Sequence, residues 1–156
     1  MYYLHIDFVL FEVFQWLLSV IRALGTKVKG ENKMPYHIDH WEDEKIVLVK
    51  NTGESTYNDF VEQSKEALAL ARSKNAKLFL SDCILLENKA SIFDIYNLPK
   101  VYDEIGASRL NRLALLIKAE SPDAAVFRFY ETACRNRGWN VKVFTSYDEA
   151  MAWLKQ

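Results

Sequence analysis

Two side chains capable of chemistry stand together where an apolar run ends. Asp82 and Cys83 close the predicted strand Lys77–Cys83. In an open α/β sheet, the carboxyl ends of the strands border the crevice in which ligands bind. A carboxylate there could hold a hydroxyl, an ammonium group or a metal ion with its water. It could equally accept hydrogen bonds from the amides of the following loop, a role that needs no ligand.

Cys83 would act as a nucleophile only with a base beside it. The three histidines, His5, His37 and His40, all precede the helical part of the chain, so we expect Cys83 to be a packed thiol. His37 and His40 are an odd number of residues apart, so on one strand they face opposite ways and cannot bind the same metal ion. The sequence also lacks the G-x-G-x-x-G, P-loop, G-x-S-x-G and H-E-x-x-H motifs. We therefore expect no catalytic residue, no metal site and no cofactor.

The overall composition is that of a globular protein without a strong charge. The chain has 156 residues, 50% of them apolar, and a formal net charge of −1, so no bulk field attracts nucleic acid. A basic region surrounds the third predicted helix and contains Arg109, Arg112, Arg128, Arg135 and Arg137. Aromatic residues are not interleaved with these arginines as in single-strand binders, and we expect no nucleic-acid partner. Neither Cys83 nor Cys134 stands in a C-x-x-C pair, which favours a reducing compartment and a cytoplasmic protein.

Residues 1–33 differ in composition from the rest of the chain. Residues 1–24 are mostly apolar and are followed by a polar, lysine-containing stretch, so we place a domain boundary before Met34. The apolar part is long enough to span a bilayer, but charges interrupt it, and each costs about 2.5–3.5 kcal/mol near the bilayer centre.

The polar residues of this segment follow a helical period. On a helix they form one narrow stripe: His5, Glu12, Gln15, Ser19 and Arg22. Such a helix could lie on a membrane, pack into a partner or join a core. Alternatively, Met34 is the true start, and residues 1–33 are a mis-assigned upstream extension that is not translated.

From residue 36 onward, the pattern predicts the order β-β-α-β-α-β-α-β-α. Tyr36–Trp41 and Lys45–Asn51 are read as an antiparallel hairpin, and strands and helices then alternate. The strand Leu110–Lys118 is apolar on both faces, as in a central parallel strand covered on each side. We therefore expect an α/β fold with a mixed, mostly parallel sheet of four to five strands and helices on its faces.

Capping residues and breakers set the expected boundaries of the helices. Thr56 with Asp59 and Ser91 with Asp94 begin the first two helices, Ser121-Pro122 the third and Ser146–Glu149 the last. Pro99 predicts a kink or two short pieces before Gly106. Asn51–Glu54 is read as a turn, Ile84–Ala90 as a loop and Trp139–Thr145 as an edge strand.

The buried faces are predicted to contain Phe60, Ser64, Ala67, Leu68 and Ala71 in the first helix, Val126, Phe129, Tyr130 and Ala133 in the third, and Ala150, Trp153 and Leu154 in the last.

Four pieces of the sequence carry a family resemblance. They are a hairpin leading into Gly-Glu-Ser-Thr and a long helix, a strand ending Leu-Ser-Asp-Cys, a central Arg-Leu-Ala-Leu-Leu strand, and the closing Val-Phe-Thr-Ser-Tyr-Asp-Glu-Ala-Met-Ala-Trp-Leu. Together they resemble the SpoIIAA-like branch of the bacterial STAS superfamily, also called STAS/SEC14-like. The resemblance covers residues 36–156.

The resemblance implies a regulatory module that binds without catalysis. In the anti-sigma antagonists of this family, a serine in an Asp-Ser-(Ser/Thr)-Gly context at the start of the second helix is phosphorylated to control docking. Here Asp82 is followed by Cys83, and Ser91 is the only serine near that helix start, which argues against a phosphoswitch. Asp82, Cys83 and Ser91 are the candidate ligand or partner residues.

Two functions remain open at this point. The first is a non-enzymatic STAS-like module that docks a protein partner or a small apolar ligand, with a homodimer as a further expectation. Membrane contact is expected only through residues 1–24. The alternative is an enzyme with a crevice site around Asp82. A pocket with convergent polar groups would favour the enzyme, and an exposed apolar patch would favour the binding module.

Overall fold

The computed structural model describes residues 34–156, so the predictions for residues 1–33 lie outside the described residues. The described part begins with an antiparallel hairpin of β1 (Tyr36–Trp41) and β2 (Ile46–Ser55), in which Trp41 pairs with Ile46. The polar residues between the strands form the turn that closes it, where Lys45 N donates to Glu42 O. The predicted hairpin is confirmed.

Strands β2 and β3 (Leu78–Asn88) are both longer than predicted. The expected turn Asn51–Glu54 and most of the expected loop Ile84–Ala90 pair with each other as parallel strands from Thr52–Leu85 to Ser55–Asn88. A register shift between Lys50 and Thr52 leaves one extra residue on β3. Gly53, at φ +84°, adopts its left-handed conformation inside this bulged ribbon and not in a turn. The turn and loop predictions were wrong because each segment supplies the backbone hydrogen bonds that the other needs.

The first two helices begin at the predicted residues. Helix α1 (Tyr57–Lys74) is capped by Thr56, and α2 (Ile92–Glu104) by Ser91, each within a complete capping box. Helix α1 ends at Asn75, which takes the left-handed conformation at φ 52°. Helix α2 runs through Pro99 as one element and not as two pieces. The proline ring is fully buried, so its packing offsets the missing backbone hydrogen bond.

Helix α3 (Ala124–Arg135) begins later than predicted and buries a different phenylalanine from the one predicted. Ser121 forms a turn instead of an N-cap, because its Oγ accepts from Asp123 N and its backbone oxygen from Ala124 N. Phe127 is buried on this helix, whereas Phe129, predicted to be buried, is 37% exposed. Tyr130 and Ala133 are buried as predicted.

The remaining elements complete a sheet in sequential order. Strand β4 (Arg112–Leu116) lies between β3 and β5 (Asn140–Phe144), and helix α4 (Tyr147–Leu154) closes the chain. The strand order is β1-β2-β3-β4-β5, with β1 antiparallel and all later neighbours parallel. Five strands, a central β4 and an edge β5 are as predicted, and the α/β fold class is confirmed.

The two faces of the sheet are covered unequally. Successive parallel strands in sequential order require crossovers of one hand, which place α1, α2 and α3 on the same face. Alternate strand residues therefore point to that face. Leu115 and Val141 pack with residues such as Phe60 and Ile95, and Val49 packs with Ala67 and Ala71 of α1. The opposite face carries α4, whose buried residues pack against Ile46, Leu80, Ala114, Leu116 and Phe144.

Candidate functional site

A cavity of about 150 Å³ lies between the sheet and helices α1, α2 and α3. Most of its walls are apolar, because inward-facing strand residues meet the inner faces of the three helices. Representative lining residues are Val49, Phe60, Leu98, Leu115, Phe127 and Val141. The lining also includes Ser108 and Asn140, which are exposed, so the cavity reaches the surface beside the loop before β4. Apolar walls with few polar groups are also typical of pockets that bind small molecules.

The polar part of the wall is centred on Asn51 of β2. This side chain is 1% exposed, and its Nδ2 donates to Ser81 Oγ at 3.1 Å and to the backbone oxygen of Asp82 at 3.3 Å. The Nδ2 atom also lies 3.7 Å from Cys83 Sγ, and Ser81 Oγ lies 3.3 Å from that sulfur. Asn51, Ser81 and Cys83 thus form one buried polar group on the helix-covered face.

The Cys83 thiol is buried and protonated. Burial raises its pKa from 9.0 to about 12, the Asp82 charge adds to this rise, and the hydrogen bond with Ser81 opposes it. A nucleophilic cysteine needs a lowered pKa and a neighbouring base. The side chains that contact the sulfur, Asn51 and Ser81, are not bases, so this environment does not activate the thiol.

A second polar pair lies in the same wall. The hydroxyls of Tyr102 and Tyr130 are hydrogen-bonded to each other, and burial raises the pKa of both phenols. Ser64 Oγ donates to Phe60 O at 2.7 Å. These hydroxyls therefore already have partners within the protein.

The three residues predicted as site candidates are not brought together. Cys83 lines the cavity, but Asp82 is its neighbour in the middle of β3 and points to the other face of the sheet. The expectation that Asp82 and Cys83 end a strand was wrong, since β3 continues to Asn88. Asp82 Oδ1 accepts from Ile84 N at 3.1 Å, which is a backbone-capping role. Ser91 is exposed at the start of α2, where its hydroxyl is held by Asp94.

Sequence reasoning missed Asn51, Ser81 and Gln63 as wall residues. The signal for the first two was the strand alternation. Asn51 follows Val47 and Val49 at steps of two, and Ser81 lies between Phe79 and Cys83 in the same way. Reading Asn51 as the first residue of a turn removed it from that pattern.

An apolar patch lies on the surface around the start of α2. Ile92, Phe93 and Tyr96 are exposed there, with Phe93 at 71%, and the Tyr96 ring lies 6.4 Å from that of Phe129. Phe129 thus joins α2 to α3 at the surface. We call Ile92, Phe93, Tyr96 and Phe129 the α2 patch.

Four of the arginines in the predicted basic region have structural roles. Arg109 pairs with Asp103 at 2.7 Å and stacks on Trp139, while Arg112 donates to the last carbonyls of α4. Arg135 pairs with Glu131 one helical turn before it, and Arg137 lies over the Tyr96 ring.

Among residues 34–156, no three His, Cys, Asp or Glu side chains are grouped to hold a metal ion. No helix of that region is long and apolar enough to cross a membrane.

Solved structures share this fold. An anti-sigma factor antagonist from Mycobacterium paratuberculosis matches with a TM-score of 0.52 at 10% identity, over 78% of this chain and 93% of that chain. An uncharacterized protein with a SpoIIAA-like fold from Shewanella loihica is 22% identical, with a TM-score of 0.47, over 76% of this chain and 91% of that chain. No family model and no curated protein sequence matches the chain. Residues 34–156 therefore have the SpoIIAA-like fold that the sequence resemblance implied.

Proposed function

We propose that this protein is a non-enzymatic regulatory module that binds a small apolar ligand in the cavity beneath α1, α2 and α3. The observation that carries this proposal is the cavity of about 150 Å³ with apolar walls. Side chains that border an unfilled apolar space lack partner atoms on one side and so lose van der Waals contacts. A ligand that restores the missing contacts therefore stabilises the fold. An engineered apolar cavity of about this volume accommodates benzene.

The proposal is tested with the full chain and benzene-sized probes such as toluene. Because only the folded state binds, a probe present at about 100 times its Kd adds about 2.7 kcal/mol to the free energy of unfolding. We expect a higher melting temperature with toluene and ligand-induced NMR shifts for methyl groups of the cavity wall. No stabilisation by toluene or by other apolar probes of this size would contradict the proposal.

A cavity-filling substitution supplies the control. Ala67 is buried in the cavity wall, so Ala67→Phe places a ring where the probe would bind. Ala152→Phe adds the same ring at an exposed position on α4. We expect toluene to stabilise Ala152→Phe as it does the unaltered chain and to have no effect on Ala67→Phe. If the phenylalanine ring at position 67 prevents folding, Ala67→Leu is used in its place. Equal stabilisation of the position 67 variant and of Ala152→Phe by toluene would show that the probe binds elsewhere.

The α2 patch supports a second function, the docking of a protein partner. A contiguous set of exposed apolar side chains marks interaction sites on soluble proteins. The similar fold of an anti-sigma factor antagonist, a regulator by name, is consistent with such docking. A photo-crosslinking phenylalanine analogue at Phe93, with Ala152 as the control position, tests it in the native host. We expect one discrete crosslinked species from position 93, and identical patterns from both positions would contradict docking through this patch.

The alternative of an enzyme with a crevice site around Asp82 receives less support. Asp82 and Cys83 point to opposite faces of the sheet, so they do not share a site. A homodimer and a cytoplasmic location stay predictions, and sedimentation velocity of the full chain measures the first of them.

A further inference from the structure

A residue of the cavity wall carries a buried hydrogen-bond acceptor that has no partner among residues 34–156. Asn51 lines the cavity, and its Oδ1 is buried with no partner among residues 34–156. The orientation of this amide follows from its neighbours. Nδ2 faces the backbone oxygen of Asp82, which only accepts, so the other amide atom must be the oxygen. Buried acceptors are nearly always paired, and leaving one unpaired is costly.

Two other wall residues carry polar atoms without partners among the described residues, but neither is an acceptor of fixed identity. Gln63 Oε1 is one, and because no hydrogen bond of the described region orients its amide, it offers either a donor or an acceptor. The indole Nε1 of Trp139 is the other, and it is a donor only. Asn51 Oδ1 is therefore an unpartnered acceptor of the described region whose position is set by the hydrogen bonds of its own amide.

The charge of the ligand follows from the composition of the wall. No Asp, Glu, Lys, Arg or His is among the described residues that line the cavity. A charged group entering this space would lose its hydration without gaining a counter-ion, which strongly opposes binding. A ligand group buried against Asn51 is therefore uncharged.

We propose that the ligand is an uncharged molecule with an apolar body and one hydroxyl or amide donor, and that this donor binds Asn51 Oδ1. This inference rests on the proposed function, since it names the chemical class of the molecule that occupies the same cavity. The apolar body contacts the walls, and the donor satisfies the acceptor that folding leaves unpaired.

Two isomeric probes test the donor. Benzyl alcohol and anisole have the same atoms, but benzyl alcohol has a hydroxyl donor whereas the anisole oxygen only accepts. We expect the full chain to bind benzyl alcohol about tenfold tighter, which corresponds to about 1.4 kcal/mol. Titration calorimetry measures both values of Kd. The comparison uses the unaltered protein, so it does not depend on how well a variant folds.

Two substitutions locate the acceptor. Asn51→Leu keeps the approximate volume and removes the amide, and we expect it to abolish the preference for benzyl alcohol. Ser64→Ala removes another polar group of the wall, one already bonded to Phe60 O, and should leave the preference unchanged.

The outcomes separate this inference from the proposed function. Equal or tighter binding of anisole overturns the inference and leaves the cavity as a ligand site. A preference that persists in folded Asn51→Leu also overturns it. If neither isomer nor toluene binds, the proposed function itself fails.

Discussion

At the residue scale, the two buried thiols make stability depend on alkaline pH. Burial raises the pKa of Cys83 from 9.0 to about 12, and burial likewise raises that of Cys134 to about 12. Between these values, the unfolded chain releases protons that the folded chain keeps. Stability due to these thiols is therefore fully present below pH 9 and falls as the pH rises toward 12.

We expect Cys83→Ala to reduce this alkaline loss. Between pH 8 and pH 10, one such thiol accounts for a loss of about 1.4 kcal/mol in the free energy of unfolding. Over this interval, the free energy of unfolding of the variant should fall by about 1.4 kcal/mol less than that of the unaltered chain. This difference does not depend on the stability of the variant at pH 8. Urea denaturation at both values measures it, with Cys134→Ala as the matched variant. An unchanged pH dependence would show that Cys83 reaches solvent in the folded state.

At the element scale, Ser91 supports the start of α2. Its Oγ accepts from Asp94 N at 3.2 Å, and Asp94 Oδ2 accepts from Ser91 N at 3.0 Å. We expect Ser91→Ala to lower the free energy of unfolding by about 1 kcal/mol, because a helix N–H loses its acceptor. Ser91→Thr keeps a capping hydroxyl and should lose less. Urea denaturation compares them, and equal losses would show that the hydroxyl does not stabilise the helix.

Helix α4 buries Met151 in place of the Trp153 that its pattern predicted. Trp153 was expected to be buried, but Met151 occupies the buried face beside Ala150 and Leu154, and Trp153 is half-buried. The position of Trp153 on the helix explains why it is only half-buried. Trp153 lies at the flank of this short helix, where its ring contacts Phe144 of the edge strand with centroids 5.7 Å apart.

We expect Leu154→Ala to lower the free energy of unfolding more than Trp153→Ala does. Leu154 is 1% exposed, and truncating a buried leucine costs about 2–5 kcal/mol. The tryptophan should still cost more than about 1 kcal/mol, because half of a large ring leaves its packing. Chemical denaturation ranks the two. A loss below about 1 kcal/mol for Trp153→Ala would indicate that this side of α4 is free to bind a partner.

At the scale of the whole molecule, residues 34–156 contain a complete set of elements. Met34–Gln156 form one unit by their contacts, with a core on each face of the sheet. We expect this segment, produced alone, to unfold in one cooperative transition. Denaturation followed by fluorescence and by circular dichroism measures it, and the two curves should coincide. A molten or aggregated product from a stable full-length chain would place the domain boundary upstream of Met34.

The sequence by itself determined the order of elements and most helix starts. Capping pairs such as Thr56 with Asp59 lie three residues apart, so the interactions that begin a helix are local and readable. The apolar run of β4 likewise indicated a strand covered on both sides. Periodicity could not tell which aromatic residue of α3 is buried, because both Phe127 and Phe129 fit a helical face with Tyr130.

Only the tertiary structure decided where strands end and which polar groups meet. The ribbon of β2 and β3 beyond Lys50 exists because two segments without strong strand patterns pair with each other. Asn51 and Ser81 are thirty residues apart in sequence and 3.1 Å apart in space, between Nδ2 and Oγ. Such contacts depend on the register of neighbouring strands, which no local pattern encodes. The cavity has the same origin, since its volume is the space left when three helices pack on one sheet.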